Sequence, residues 1–331
     1  MYLPKAWFQD EARRQKAGVP KEAAFATKPA IALAQIERLL DQGAPKHCVL
    51  ADAGYGTDTA FRERLSEPGL TYVVGVTGQV NVWPPGHAPL GPAAYSGRGN
   101  VPTRQRLGKA AHQRPQSMKE LAHALTSEQW HSVEWREGSN FSLRARFARV
   151  RVHAADRDHQ RDELRPEQWA RIEWPEGHKD PMKYWMSTLP QDMPIERMVL
   201  EAKMRWRIER DYQDLKQDLG LGDSEGRGWR GFHHHASLAI AADGLLMAQQ
   251  LRYPDAEGKK TPHESKNLPY QRMTSLAAAP RTQRHVPSFI TSLQLGIAAA
   301  LRRTLPRCPC CLHSKTRAVS GADGSYPGFQ R

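Results

Sequence analysis

Apolar positions in the first quarter of the chain alternate between helical and strand periodicity. Residues 5–17 and 29–42 read as helices. In the second, PAIALAQIERLLDQG, Ile31, Leu33, Ile36, Leu39 and Leu40 make one broad apolar face between Pro29 and Gly43, residues that suit a helix start and stop. Residues 48–51 are a short apolar run between Pro45 and Gly54, which predicts a buried strand with Asp52 at its C-terminal end. Residues 57–65 read as a helix with Phe61 and Leu65 on one face, and LTYVVGV, 70–76, as a second buried strand. The stretch 29–76 is therefore an αβαβ unit, for which a parallel sheet is expected.

From about residue 79 the texture changes to Pro, Gly and basic residues, as in WPPGHAPLGP and SGRGNVPTRQRLGKAAHQRPQS. Alternation returns over 119–175. In FSLRARFARVRVHA, Phe141, Leu143, Ala145, Phe147, Val150 and Val152 read as one apolar face, with Arg144, Arg146, Arg149 and Arg151 on the other. This predicts a small β-rich insertion. KYWMSTLP, 183–190, is another strand. Pro194 opens a helix expected to run to about Leu219, and a further helix is expected at 232–251. Beyond Tyr253 the chain is rich in Pro, Lys, Ser and Gln, with one helical pattern at 287–303 and a final stretch whose composition predicts disorder.

Charge narrows the classes of function. The 331 residues carry a net charge of +13, so a polyanionic partner is expected, because Lys and Arg neutralise phosphates and release their counterions. A basic protein without such a partner is the plainer alternative. The sequence contains neither an apolar run long enough to span a membrane nor a signal core, which predicts a cytoplasmic protein. Of the four cysteines, Cys48 reads as a core thiol. Cys308, Cys310 and Cys311, with His313, lack the paired spacing of a zinc site.

Phosphoryl transfer on DNA commonly uses two metal ions about 4 Å apart, and Mg²⁺ takes carboxylate oxygens. A strand-end Asp and a helical Glu can supply them. Asp52 is the strand-end candidate. In PIERMVLEAKMRWRIERDYQDLKQDLG, Leu200, Met204, Ile208, Leu215 and Leu219 fall on one stripe at roughly 100° per residue. Arg205, Glu209, Tyr212 and Lys216 border it, an order of cation, carboxylate, phenol and cation that suits metal and phosphate. Arg205 and Glu209 are also an i, i+4 pair of the kind found on ordinary surface helices.

HCVLADAGYGTDTAFRERLSEPGLTYVVGV resembles the second-aspartate region of insertion-sequence DDE transposases, and RWRIERDYQDLKQDLGL with EGRGWRGFHHHASLAI resembles their glutamate region. The branch is the one with a Tyr-Arg-Glu-Lys pattern and a β insertion, and the resemblance spans about 1–252. It implies an RNase H-like α/β core in which Asp, Asp and Glu hold two Mg²⁺ ions, with Mn²⁺ as a substitute. Asp52 matches the second Asp, Glu209 the Glu, Arg205 the Arg and Lys216 the Lys; Ala202 stands where the Tyr belongs. The 157-residue separation of Asp52 and Glu209 fits the branch with the insertion. Arg227, Trp229 and Arg230 match a basic, Trp-containing turn, and Arg227 and Arg230 are expected at DNA phosphates.

The implied organisation is a partial RNase H-like core at 1–79, a β-rich insertion at 80–182, the remainder of the core with the Glu helix at 183–252, and a basic tail at 253–331. The first Asp has no match: Asp10, Glu11, Glu22, Glu37 and Asp41 lie in or beside helical patterns. The resemblance thus implies an N-terminally truncated, bacterial and nucleoid-associated transposase that is inactive alone. DNA is the expected partner, together with a homo-oligomer or an intact transposase copy. A non-catalytic DNA-binding remnant or inhibitor is the alternative. A hydrolase acting on a sugar through the same carboxylates is disfavoured by the basic charge.

Smaller features have competing readings. The triplet His233, His234 and His235 suits capping and packing better than a metal, since consecutive side chains diverge. Trp185 is placed in the core in preference to stacking on a flipped base. The arginine ribbon is either a DNA contact or a solvated sheet face.

Overall fold

A computed structural model describes residues 2–110, 114–137, 142–226 and 228–252, with 301 and 304. Arg227, Phe141, the cysteine cluster and nearly all of the 253–331 tail, including most of the expected 287–303 helix, lie outside the described residues. The expected first helix is two, α1 (Lys5–Gln9) and α2 (Glu11–Ala17). The chain leaves helical geometry at Asp10, whose carboxylate accepts the Arg13 N–H and so caps α2. In α3 (Lys28–Asp41), capped by Thr27, the residues Ala32, Leu33, Ile36 and Leu40 pack inward, whereas Leu39 is exposed.

β1 (Val49–Ala51), α4 (Ala53–Gly56), α5 (Thr59–Ser66) and β2 (Tyr72–Val76) follow, and β1 pairs with β2 in parallel as expected. Then come β3 (Asn81–Trp83), β4 (Gln116–Ser117) and α6 (Met118–Ala124), the last opened by a Ser117–Glu120 capping box. β5 (Trp130–Glu137), β6 (Ser142–Ala154), β7 (Glu167–Trp174) and β8 (Lys183–Ser187) complete the strands, and α7 (Ile195–Lys203), α8 (Trp206–Gln217) and α9 (Trp229–Arg252) end the described fold. Among the described residues the strands form one sheet in the order β1-β2-β8-β7-β6-β3-β4, with β5 also paired to β6. Every pair except β1–β2 is antiparallel. The strands of the 119–175 region thus extend the sheet that carries β1 and β2, and β7 lies directly beside β8.

Both faces of this sheet are covered, which gives a mixed α/β architecture. Strand alternation sorts the side chains. Tyr72, Val74 and Val76 of β2, with Tyr184 and Met186 of β8, pack against α5, α6 and α3. Val73, Phe147, Trp169 and Trp185 point the other way, into the apolar side of α7 formed by Ile195, Met198, Val199 and Ala202. Double coverage explains why 70–76 reads as a continuous apolar run.

Two expectations need correction. β6 pairs with β7 without a register shift from Arg146 to His153, so its period of two is unbroken. Arg144 and Arg146 therefore share a face with Val150 and Val152, while Arg149 and Arg151 lie on the opposite face beside Trp169. There is no single arginine face. The second correction concerns the helix expected at 194–219, which breaks between α7 and α8. Around Met204 and Arg205 the N–H groups of Arg205, Arg207 and Ile208 bond to carbonyls three residues back. Such a tight turn rotates by about 120° per residue, so the apolar stripe loses its phase. Leu200 is buried but Ile208 is exposed, and it is Asp214 that α8 buries. Among the described residues no helix is long and apolar enough to cross a membrane.

Candidate active site

Asp52 sits where β1 ends and α4 begins, with extended backbone angles. Its Oδ1 accepts the Gly54 N–H at 2.9 Å, and its carbonyl accepts the N–H groups of Tyr55 and Gly56. This turn is pressed onto β2 by two glycines. A Cβ on Gly75 would meet the Ala53 nitrogen at 3.1 Å and the Asp52 carbonyl carbon at 3.3 Å. The buried Arg62 guanidinium donates to the Gly56 carbonyl and, at 3.0 Å, to Thr59 Oγ1, which closes the far end of the turn. One oxygen of Asp52 is thus fixed by backbone, and Oδ2 faces outward toward α8.

Arg205, at the break between α7 and α8, reaches that oxygen. Its Nη1 lies 3.9 Å from Asp52 Oδ2, and its Nη2 lies 2.5 Å from Glu209 Oε1. Two carboxylates distant in sequence therefore converge on one guanidinium. The short span of that planar group caps the separation of the two contacting oxygens at about 9 Å. Asp52 and Glu209 are half-exposed to exposed, Arg205 about one-third exposed.

One buried and two partly buried cations fix the helix that leads to this point. Arg149 donates to the Met193 carbonyl and stacks on Trp169; Arg171 donates to the Met198 carbonyl and stacks on Trp185. Two residues before Arg205, Lys203 Nζ bonds both oxygens of Glu173 at 2.7 and 2.8 Å, 4.0 Å from the Trp135 ring centre. Burial pulls the Lys203 amine down to about 8 even though Glu173 favours its charge. Burial alone disfavours a lysine in this position, so the tripod of Arg149, Arg171 and Lys203 makes the path of α7 specific to this sheet face.

The other expected residues are placed less closely. Lys216 lies in the last turn of α8, its Nζ 4.7 Å from the Tyr212 ring centre, so Tyr212 and Lys216 do share an edge. Arg230 is exposed in the first turn of α9. Trp185 is core. His233 stacks on Trp229 at 4.3 Å, and His235 Nε2 lies 2.7 Å from the Gly220 carbonyl, which makes two members of the triplet packing residues.

Sequence reasoning missed the buried Arg62, the close approach of Gly56 and Gly75, and the acids between α8 and α9. Asp211, Asp214 and Asp243 all have carboxyl groups held above the usual range, first by burial; Asp243 and Asp214 raise Asp211 further, and Asp218 and Asp243 raise Asp214 further. The DAGYG spacing was the available clue to the glycines.

The donor set at Arg205 can be tested against a divalent cation. Asp52 Oδ2 and the Glu209 carboxylate are hard oxygens with outward access, and a cation of the Mg²⁺ class is commonly held by one or two carboxylates with phosphate and water completing its shell. The pair has the donor chemistry for such an ion. Among the described residues, no group of three or more His, Cys, Asp or Glu side chains gathers as a metal cluster.

The fold is mixed α/β, and a strand-end aspartate and a helical glutamate meet at one guanidinium. Residues 1–141 match the family model described as DDE superfamily endonuclease, which supports a DDE transposase-type protein. The match includes Asp52 and stops short of Arg205 and Glu209. Divalent metals are general to that superfamily, and DNA is the substrate its nuclease character implies. No curated protein matches the chain.

Proposed function

We propose that the chain is an insertion-sequence transposase polypeptide whose Asp52 and Glu209 hold Mg²⁺, with Mn²⁺ as a substitute. The observation that carries this reading is the convergence of the two carboxylates on Arg205. Segments 1–79 and 183–252 form an RNase H-like core, 80–182 is its β-rich insertion, and 253–331 is a basic tail. A bound divalent ion supplies charge against the phosphate and a more acidic water. The chain's own groups do the rest. Gly54 N–H orients Asp52, Arg205 and Lys216 hold phosphate oxygens, and Arg227 and Arg230 take phosphates farther along the duplex. Water opens a phosphodiester at an element end and leaves a 3′-hydroxyl, which then attacks a phosphodiester of target DNA and displaces its 3′-oxygen.

The two-carboxylate set also supports a second part of the proposal. A site built to bridge two dications with three acids loses a ligand and a charge when only two are present. The chain alone then cleaves weakly and acts in an oligomer, with an intact copy, or as a DNA-binding inhibitor of one. The test is a strand-transfer assay with Mg²⁺ or Mn²⁺ beside a Mn²⁺-binding titration. Expected are weak or no cleavage and Mn²⁺ binding that is lost in Asp52→Asn and Glu209→Gln. Mn²⁺ binding indifferent to both substitutions overturns the site. Robust cleavage abolished by Glu209→Ala overturns the inactivity.

A further inference from the structure

We infer that Arg205 is a positioning residue with two stations: it holds the Asp52 and Glu209 carboxylates together, and a divalent cation arriving at those carboxylates releases it to a DNA phosphate. This rests on the reading of Asp52 and Glu209 as metal ligands. The first station is visible. The guanidinium grips Glu209 closely through Nη2 and reaches Asp52 Oδ2 at 3.9 Å through Nη1. Two carboxylates on one guanidinium repel each other, and the cation between them offsets that cost. A dication offers more charge to the same oxygens and repels the guanidinium, so metal and Arg205 compete.

The competition is local because the backbone on the N-terminal side is held. Lys203 is locked to the buried Glu173 and is itself largely covered, so α7 does not move when Arg205 lets go. The side chain that moves is one-third exposed and its acid partners are more so, which makes the two contacts weak enough to exchange. A guanidinium released beside a metal-bound phosphate has the planar fork that phosphate oxygens accept in pairs. Arg205 thereby links metal binding to DNA binding, and linkage requires each to strengthen the other.

The experiment is a Mn²⁺ titration of the full, metal-free chain without DNA, followed by the spin-resonance signal of free Mn²⁺. Arg205→Gln removes the competitor and is expected to bind Mn²⁺ about three- to tenfold more tightly, the range two exposed ion pairs can supply. Arg205→Lys keeps a charge without the fork and is expected to fall between. In parallel, affinity for double-stranded DNA is measured with and without Mn²⁺; the gain from Mn²⁺ should shrink in Arg205→Gln. A purely structural role predicts weaker Mn²⁺ binding in the variant, and equal or weaker binding overturns the inference. If Arg205→Gln loses its helical circular dichroism, Arg205→Lys carries the same test, and affinity no tighter than that of the parent chain overturns the inference there. Failure of the underlying reading looks different, since Asp52→Asn and Glu209→Gln would then leave Mn²⁺ affinity unchanged.

Discussion

Gly56 lies so close to Gly75 that a Cβ added to it would stand 2.2 Å from the Gly75 carbonyl oxygen and 2.7 Å from the Val74 Cβ. Neither neighbour can yield, since both belong to the central part of β2. The turn that begins at Asp52 is therefore set against the sheet by the absence of a side chain. Gly56→Ala should push α4 outward and cost about 1–3 kcal/mol, as overpacking does. Thermal unfolding reads the loss. Because α4 carries Asp52 at its N-cap, Mn²⁺ affinity should fall in the same variant. Unchanged stability would show that α4 slides without cost.

Lys203 and Glu173 provide a second test. Removing one member of a buried pair strands the other, so Lys203→Met and Glu173→Gln should each destabilise strongly, by about 3–5 kcal/mol. The double substitution removes both charges from the aromatic surround and should recover much of that loss. The pH dependence has a definite sign. The folded amine titrates at about 8 and the unfolded one at 10.5, so over that interval the unfolded chain binds more protons. The contribution of this group to stability therefore rises as pH climbs from about 8 toward 10.5. Denaturant melts of the parent chain and Lys203→Met across that range isolate it; a difference independent of pH would refute the burial argument.

Much of the site was legible before the fold. A short apolar run ending at Ala51 predicts the strand before Asp52, but not its exposure: among the described residues β1 is an edge of the sheet, and its three residues are only partly buried. Glu209 and Arg205 are visible as neighbours at i, i+4. The convergence on Asp52 was not, since it depends on where α7 breaks. Periodicity at 100° per residue assumes one straight helix, and the tight turn at Met204 and Arg205 is a hydrogen-bonding choice that leaves no mark in the apolar pattern. The arginine ribbon misled for the opposite reason. Its sequence skips phase between Phe147 and Val150, but β6 does not, so Arg149 and Arg151 pass to the other face and bind carbonyls and Trp169. A buried arginine looks like a surface arginine in sequence.

DNA binding by the chain should be tolerant of sequence and strongly dependent on salt, since the candidate contacts are cations on several elements. Lys216, exposed over Tyr212 at the end of α8, should contribute one phosphate contact. Lys216→Ala is expected to reduce the slope of log affinity against log salt by about 1 without changing the ranking of DNA sequences. Binding that is flat between low and moderate salt would remove phosphate contact as the basis of affinity.

Burial raises the carboxyls of Asp211 and Asp214 of α8 and of Asp243 of α9, and the Asp243 charge adds to the rise at Asp211 and, as the smallest contribution, at Asp214. Arg207 and Arg210 offset only part of this, with Arg210 bonded to Asp214 at 3.1 Å. The consequence for stability runs against the usual behaviour of ion-paired carboxylates. A carboxyl whose folded pKa lies above its unfolded value near 3.8 weakens the fold while ionised, and that cost is relieved as pH falls through the folded value toward 3.8. The packing of α8 on α9 should therefore tighten as pH is lowered through the folded values toward 3.8. Asp243→Asn takes the charge away at every pH while keeping the shape of the side chain. It should raise the melting temperature at about pH 7.5, and the advantage over the parent chain should shrink as pH is lowered, because the parent's own carboxyl group takes up its proton at a higher pH than an unburied one does. Hydrogen exchange within α8 and α9 should follow the same trend, slowing in the parent chain as pH is lowered once the intrinsic exchange rate is corrected. If Asp243→Asn instead lowers the melting temperature at about pH 7.5, the carboxylate is serving the α8–α9 contact as a paired group, and like-charge repulsion is not what governs that interface.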